Sequence, residues 1–275
     1  VTRDSVRAAV DVDRVLARID TMAAQCPVAA QVVATTNSTE AGAEDLARVL
    51  GADVALAGRV MKLANSAYYG MGGRVCSLRG AVTVVGFATV RSLATVALTG
   101  LARPGGLPAD VARTSTHLAL AASAVAPRLG RRAQDALCTG LLTQLGAALL
   151  YAEDPDGYAA LVDAEPTAAG RRTAELRRYG VHAPRLTALA LERWGFPPTL
   201  LSPMQQVDDL SSLDGALLRT AIEMTARILA TDHQAVPMEL LSCGRLRDDA
   251  VPALLQRVAA DTEELRAALF GTTVA

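Results

Sequence analysis

The stretch "LGADVALAGRVMKLANSAYYGMGGRVCSLRGAVTVVGFATVRSLATVAL", residues 50–98, decides how this chain folds, because its punctuation is helical throughout. Leu50 closes one helix before Gly51, and Asp53 offers an N-cap oxygen to a helix that runs to about Asn65. Leu56, Val60 and Leu63 recur along that helix at spacings of a turn, flanked by Ala57, Met61 and Ala64, the period of a buried helical stripe. "YYGMGGR" is a glycine-rich loop. Ser77 then caps a helix through Val85, Gly86 interrupts it, and a further helix carries Val90, Leu93, Ala94, Ala97, Leu98 and Leu101 on one face.

The same periodicity extends outward in both directions. Residues 5–24 read as a first helix, broken by Cys26-Pro27; a short helix follows, then the polar turn "TTNSTEAG", then a helix from Glu44 to Leu50. "ARPGGLP", residues 102–108, is the best candidate boundary. Beyond it lie a helix with Leu118, Ala121, Ala122, Val125 and Leu129, and another running unbroken through Leu137, Leu141, Leu145 and Ala148. Further helices are predicted over 156–164, 167–178, 184–194, 198–207 and 215–231, with one or two more up to 270. The expected fold is all-α, a two-lobed helical bundle, with an N-terminal helical lobe over 1–106 and a C-terminal helical lobe over 107–275.

Composition narrows the function. A net charge of −1 over 275 residues leaves no global positive field to attract nucleic acid or acidic lipid. Positive charge is almost all arginine, with Lys62 the one lysine; the pairs Arg131-Arg132, Arg171-Arg172 and Arg177-Arg178 read as solvated helix ends. Cys26, Cys76, Cys138 and Cys243 are scattered without a C-x-x-C, which fits reduced thiols and argues against a disulfide framework or zinc ribbon. The charged N-terminal stretch does not read as a signal peptide. The uncharged run between Arg79 and Arg91 is read as the best span candidate and is too short for a bilayer. A cytoplasmic protein with no membrane partner is expected.

Four segments in order carry a resemblance: Asp53 opening a helix, "LANSAYYG" at 63–70, "VCSLRGAVTVVG" at 75–86 and "VRSL" at 90–93. Together they resemble the HDOD family, degenerate relatives of the HD-type metal phosphohydrolases. The likeness continues in "RTSTHLALAASAVA" at 113–126, in "GLLTQLGAALL" at 140–150, and in Glu175, His182, Trp194 and Pro197 of the segment 175–200, covering roughly residues 20–207. It implies an HD-domain-like C-terminal lobe and a role in signal transduction or regulation, through an unknown protein partner or a nucleotide-type signalling ligand.

The resemblance also says what is missing. HD enzymes carry G-L-L-H-D-I-G where this chain has "GLLTQLG", so Thr143 and Gln144 stand where the His-Asp pair would be. The upstream histidine position falls at Thr114, with His117 nearby, and the later paired-histidine region reads Gln205-Gln206. A divalent ion needs imidazole nitrogens and carboxylates to replace its hydration shell. Threonine and glutamine are neutral hydrogen-bonding groups. The resemblance therefore implies no metal, no cofactor and no catalysis, with Thr114, Thr143 and Gln144 as degenerate metal-site positions. The whole chain holds three histidines, His117, His182 and His233; a capping or core role is expected of His182. The acidic groups at 153–156 and 208–209 read as helix boundaries.

The remaining family-motif positions, and candidate interaction residues, are Asn65, Ser66, Tyr68, Gly70, Gly86, Glu175, His182 and Trp194. Asn65 and Ser66 end a helix, where side chains satisfy backbone groups left unpaired. Two other classes stay open. A residual HD-type phosphohydrolase would need a site rebuilt from different ligands. A helix-turn-helix DNA binder can be drawn over residues 46–65, but its second helix starts Val54-Ala55-Leu56-Ala57, with few base-reading side chains. "YGMGG" lacks a preceding strand and a G-K-[ST] ending, and no G-x-S-x-G occurs.

Overall fold

A computed structural model describes residues 11–99, 109–230 and 233–270 of the chain, with the side chains of 18–24, 109–113 and 268–270 left aside. No strand occurs among the described residues; the fold is all-α. The candidate boundary at 102–108, and residues 5–10 of the expected first helix, lie outside them.

Among the described residues, six α-helices precede residue 100: α1 (Val12–Gln25), α2 (Pro27–Asn37), α3 (Ala43–Leu50), α4 (Val54–Ala64), α5 (Leu78–Val85) and α6 (Phe87–Leu98). Asp53 caps α4 by accepting from the Ala55 and Leu56 amides, both at 3.0 Å. Ser77 caps α5 through the Gly80 amide. At Gly86 the chain turns by 103° between α5 and α6 with φ at +77°, a conformation that favours glycine.

The later helices are α7 (Ala109–Val125), α8 (Ala133–Leu142), α9 (Leu145–Glu153), α10 (Pro155–Ala164), α11 (Ala168–Tyr179), α12 (Ala183–Arg193), α13 (Pro198–Gln205), α14 (Leu213–Leu229), α15 (Met238–Leu241) and α16 (Val251–Phe270). α7 is the spine of this half and packs against α8, α14 and α16. The longest apolar run is not the one between Arg79 and Arg91. Residues 133–153, spanning α8 and α9, form the one unbent helical stretch among the described residues with the length and apolarity of a membrane span, though its ladder is broken at 143–144, and most of it is buried inside the bundle.

That rod is interrupted, where an unbroken helix was expected. α8 ends at Leu142 and α9 begins at Leu145. The cause is Thr187 of α12, whose hydroxyl donates to the Thr143 carbonyl at 3.0 Å and accepts the Gly146 amide at 2.7 Å. A side chain inserted into the ladder takes over both groups, and the helix opens locally. The two glycines of "GLLTQLG" let this happen. A β-carbon on Gly140 would meet Leu118 O and Ala119 Cα of α7, and one on Gly146 would overlap Ala183 O and Thr187 Oγ1 of α12.

One carbonyl at the end of α12 is shared by two of the early helices. Trp194 O accepts from Arg91 Nη2 of α6 at 2.6 Å and from Asn37 Nδ2 of α2 at 3.3 Å. Arg91 is buried, with its guanidinium 3.7 Å over the Phe196 ring.

Gly146→Ala should gain about 1 kcal/mol in helix propensity yet lose more by forcing α9 from α12, for a net destabilisation on the order of 1–2 kcal/mol. Urea denaturation reads it; an unchanged or raised midpoint would contradict the close approach.

Candidate functional site

The positions that would carry a metal in an HD enzyme are brought together. Gln144 Nε2 donates to Thr114 Oγ1 at 2.7 Å, joining the α8–α9 break to α7. Thr143 is buried and turns its hydroxyl back to Thr139 O at 2.8 Å. Gln144 and Thr114 are an amide–hydroxyl pair whose members bind each other. These donors do not fit a divalent ion: none is anionic and none is an imidazole. Gln205 and Gln206 do not join them; Gln206 Oε1 accepts from Ser212 Oγ at 2.5 Å in the loop before α14. Among the described residues, no group of three or more His, Cys, Asp and Glu side chains gathers with metal-binding geometry.

"LANSAYYG" forms a separate region. Asn65 pairs with the backbone of Val75 in both directions: Nδ2 donates to Val75 O at 2.9 Å and Oδ1 accepts the Val75 amide at 3.0 Å. Nδ2 also reaches Met61 O. One side chain therefore staples the end of α4 to the strand-like approach to α5, and the loop between is closed by Arg74, which donates to Met71 O and Gly70 O. Gly70 sits at φ +65°. Ser66 is buried and donates to Leu63 O. Tyr68 shares a hydrogen bond of 2.7 Å with Ser123 of α7, and burial raises its hydroxyl pKa. Ser123 and Thr114 lie nine residues apart on α7, roughly 13 Å along the axis, so the motif does not converge on the Thr114–Gln144 pair.

Glu175, His182 and Trp194 all serve α12. Glu175 is buried; it accepts from Tyr158 Oη at 2.8 Å and from the Ala183 amide at 2.7 Å, and burial raises its pKa. His182 is the N-cap residue. Its Nδ1 accepts the Arg185 amide at 3.2 Å and its Nε2 lies 3.2 Å from Asp208, which also takes Arg172 Nε at 2.9 Å. An accepting Nδ1 and a donating Nε2 define a neutral ring. Burial lowers its pKa, with the Asp208 charge opposing. Trp194 closes α12 and hands its carbonyl to Arg91 and Asn37.

Several residues with large structural roles carried no expectation. Burial lowers the Arg91 pKa to about 10, which leaves it charged at neutral pH. Arg219, in the apolar run of α14, gathers the carbonyls of Asp209, Ser212 and Leu241 around one buried guanidinium. Glu223 is likewise buried and receives Arg227, His233 and the Val236 amide. An arginine or glutamate set inside an apolar helical stripe was the available signal in each case.

Compared with known proteins, the chain matches the model of the HDOD domain over residues 22–210. No curated protein matches it. Among solved structures, a protein from Shewanella amazonensis SB2B whose description proposes a phosphohydrolase aligns at TM-score 0.68 and 22% identity, over 88% of this chain and 93% of that one. A protein from Marinobacter aquaeolei VT8, described provisionally as acting in signal transduction, aligns at 0.67 and 22%, over 88% of this chain but 57% of that longer one. An HDOD domain protein with unknown function from Geobacter sulfurreducens aligns at 0.61 and 18%, over 96% and 100%. At these identities the structures speak for a shared fold.

Asn65→Ala should leave the Val75 amide and carbonyl unpaired and cost about 1–2 kcal/mol; an unshifted denaturation midpoint would count against the staple. The His182 cap has a pH signature. A folded pKa below the ordinary 6.5 means the unfolded chain binds the proton first, so this contribution is complete above pH 6.5 and is lost as pH falls towards the folded value. His182→Asn keeps a capping oxygen and should flatten the stability slope in that window; an identical slope in both proteins would remove the assignment.

Proposed function

This chain belongs to the HDOD family, and from that premise we propose that it is a non-catalytic regulatory protein that works by binding a protein partner. The observation that carries the reading is the hydrogen bond between Gln144 and Thr114. Where an HD enzyme would hold its ion, two neutral side chains satisfy each other, so the helices keep their mutual contact without metal. A small signalling ligand is less favoured than a protein. The crevice beside Tyr68, between α7 and α16, holds a cavity of only about 10 Å³, room for about one water and far below the usual ~300–1,000 Å³ of small-molecule sites. DNA binding is disfavoured by the start of α4, which presents Val54 and Ala55 to solvent, and by the packing of α5 and α16 on that helix. Salt-dependent duplex binding would reinstate it.

The phosphohydrolase alternative draws on the Shewanella neighbour's description and is settled by the same experiment. The purified protein should carry no stoichiometric Zn, Fe, Mn, Mg or Ca by elemental analysis and should hydrolyse neither phosphomonoesters nor cyclic dinucleotides. T143H/Q144D should not create activity, because Thr114 and Gln205-Gln206 remain neutral. Near-stoichiometric metal that disappears with Gln144→Ala or His117→Ala, with activity lost in parallel, would overturn the reading. Affinity capture from native extract should retain a protein partner.

A further inference from the structure

We propose that Arg91 is the floor of a carboxylate-binding site between the end of α2 and the turn after α12, and that a protein partner fills it with an aspartate or glutamate side chain. The proposal rests on the partner-binding reading and names the group by which the partner is recognised.

Among the described residues, four charged side chains are buried: Arg91, Glu175, Arg219 and Glu223. Three of them find the partners that a buried charge requires. Glu175 receives Tyr158 Oη and the Ala183 amide, and Glu223 receives Arg227, His233 and the Val236 amide. Arg219 spreads its donors over the carbonyls of Asp209, Ser212 and Leu241. Arg91 is the exception. A guanidinium carries five N–H donors, yet here only Nη2 reaches an acceptor, Trp194 O. Nε is shut off from solvent and has no partner. The Arg91 pKa falls to about 10 through burial alone, with no carboxylate of the chain opposing it, so the cation is whole at neutral pH and uncompensated. The same face of α6 repeats the deficit one turn on, where Thr95 Oγ1 is buried and also without a partner.

The way in lies over Gly195, which is exposed and sits at φ +69°. A β-carbon there would stand 3.5 Å from Asn37 Nδ2 and 4.0 Å from Arg91 Nη2. A group arriving over this bare glycine therefore meets a guanidinium and an amide together. Asn37 is exposed and spends Nδ2 on Trp194 O at 3.3 Å, which leaves a second amide hydrogen for an incoming oxygen. The Phe196 ring covers one face of the guanidinium at 3.7 Å and confines the anion to its edge. A planar carboxylate on a slim stem matches that edge. One cation balances one negative charge, which favours a carboxylate over the more highly charged phosphate.

Two measurements on the full chain test this. The first follows the arginine side-chain Nε–H signals of the wild type by NMR while sodium acetate replaces sodium chloride at constant ionic strength. The Arg91 signal should shift saturably with acetate; no saturable shift, or the same shift with added chloride, would overturn the site. The affinity separates the two sources of a carboxylate. A bare acetate lacks the rest of a partner's surface and should bind with a dissociation constant above about 1 mM; a value below that would overturn the partner's side chain in favour of a free small carboxylate. The second measurement repeats the titration on two variants. Asn37→Asp sets a carboxylate beside Arg91 within the chain and should weaken acetate binding about 10-fold or more, whereas Asn37→Ala should change it by no more than about 3-fold. Equal effects of the two variants would place the acetate elsewhere and overturn the assignment. The wild-type titration depends on no variant. An empty affinity capture would remove the partner and leave the acetate response standing, and a missing acetate response would remove this site and leave partner binding standing.

Discussion

The rod formed by α8 and α9 must lie almost backbone to backbone against α7 on one side and α12 on the other. Gly140 makes the first contact possible and Gly146 the second; a β-carbon at either would strike the neighbouring helix's backbone. Packing this tight is what brings Thr187 within reach of the Thr143 carbonyl and the Gly146 amide, and Gln144 within reach of Thr114. The helix break, the polar bridge and the position of Thr143-Gln144 are thus consequences of one steric condition.

A second tie joins the first six helices to the rest. Trp194 ends α12 with a carbonyl that no helical amide uses, and Arg91 and Asn37 supply the donors. Arg91 adds its planar face to Phe196. Arg219 repeats the device further on, holding the loop between α13 and α14 by its carbonyls. Arginine suits this work because its charge survives burial and its donors radiate in one plane.

The Gln144–Thr114 contact holds its helices together without any ion. In a metal site the ion offsets the repulsion and desolvation of converging polar groups. Here the converging groups are neutral, and short hydrogen bonds between them are enough.

How much of this was legible beforehand follows from range. Asp53, Ser77 and Gly86 act on residues within a turn or two of themselves, so their caps and breaks could be read from the chain, as could the all-α class from its period and the HDOD membership from motifs in order. That Thr143 and Gln144 are neutral polar side chains was likewise written in residue types. The pairing of Gln144 with Thr114, the insertion of Thr187 into the α8–α9 ladder, the grip of Arg91 on Trp194 and the seating of α16 on α4 join residues 30 to 205 positions apart. Local propensity carries no information about such partners. Sequence by itself determined which segments are helical and that the polar groups of "GLLTQLG" are neutral; only the tertiary packing decided which groups answer one another, because a hydrogen bond depends on a separation of about 3 Å that no spacing along the chain specifies.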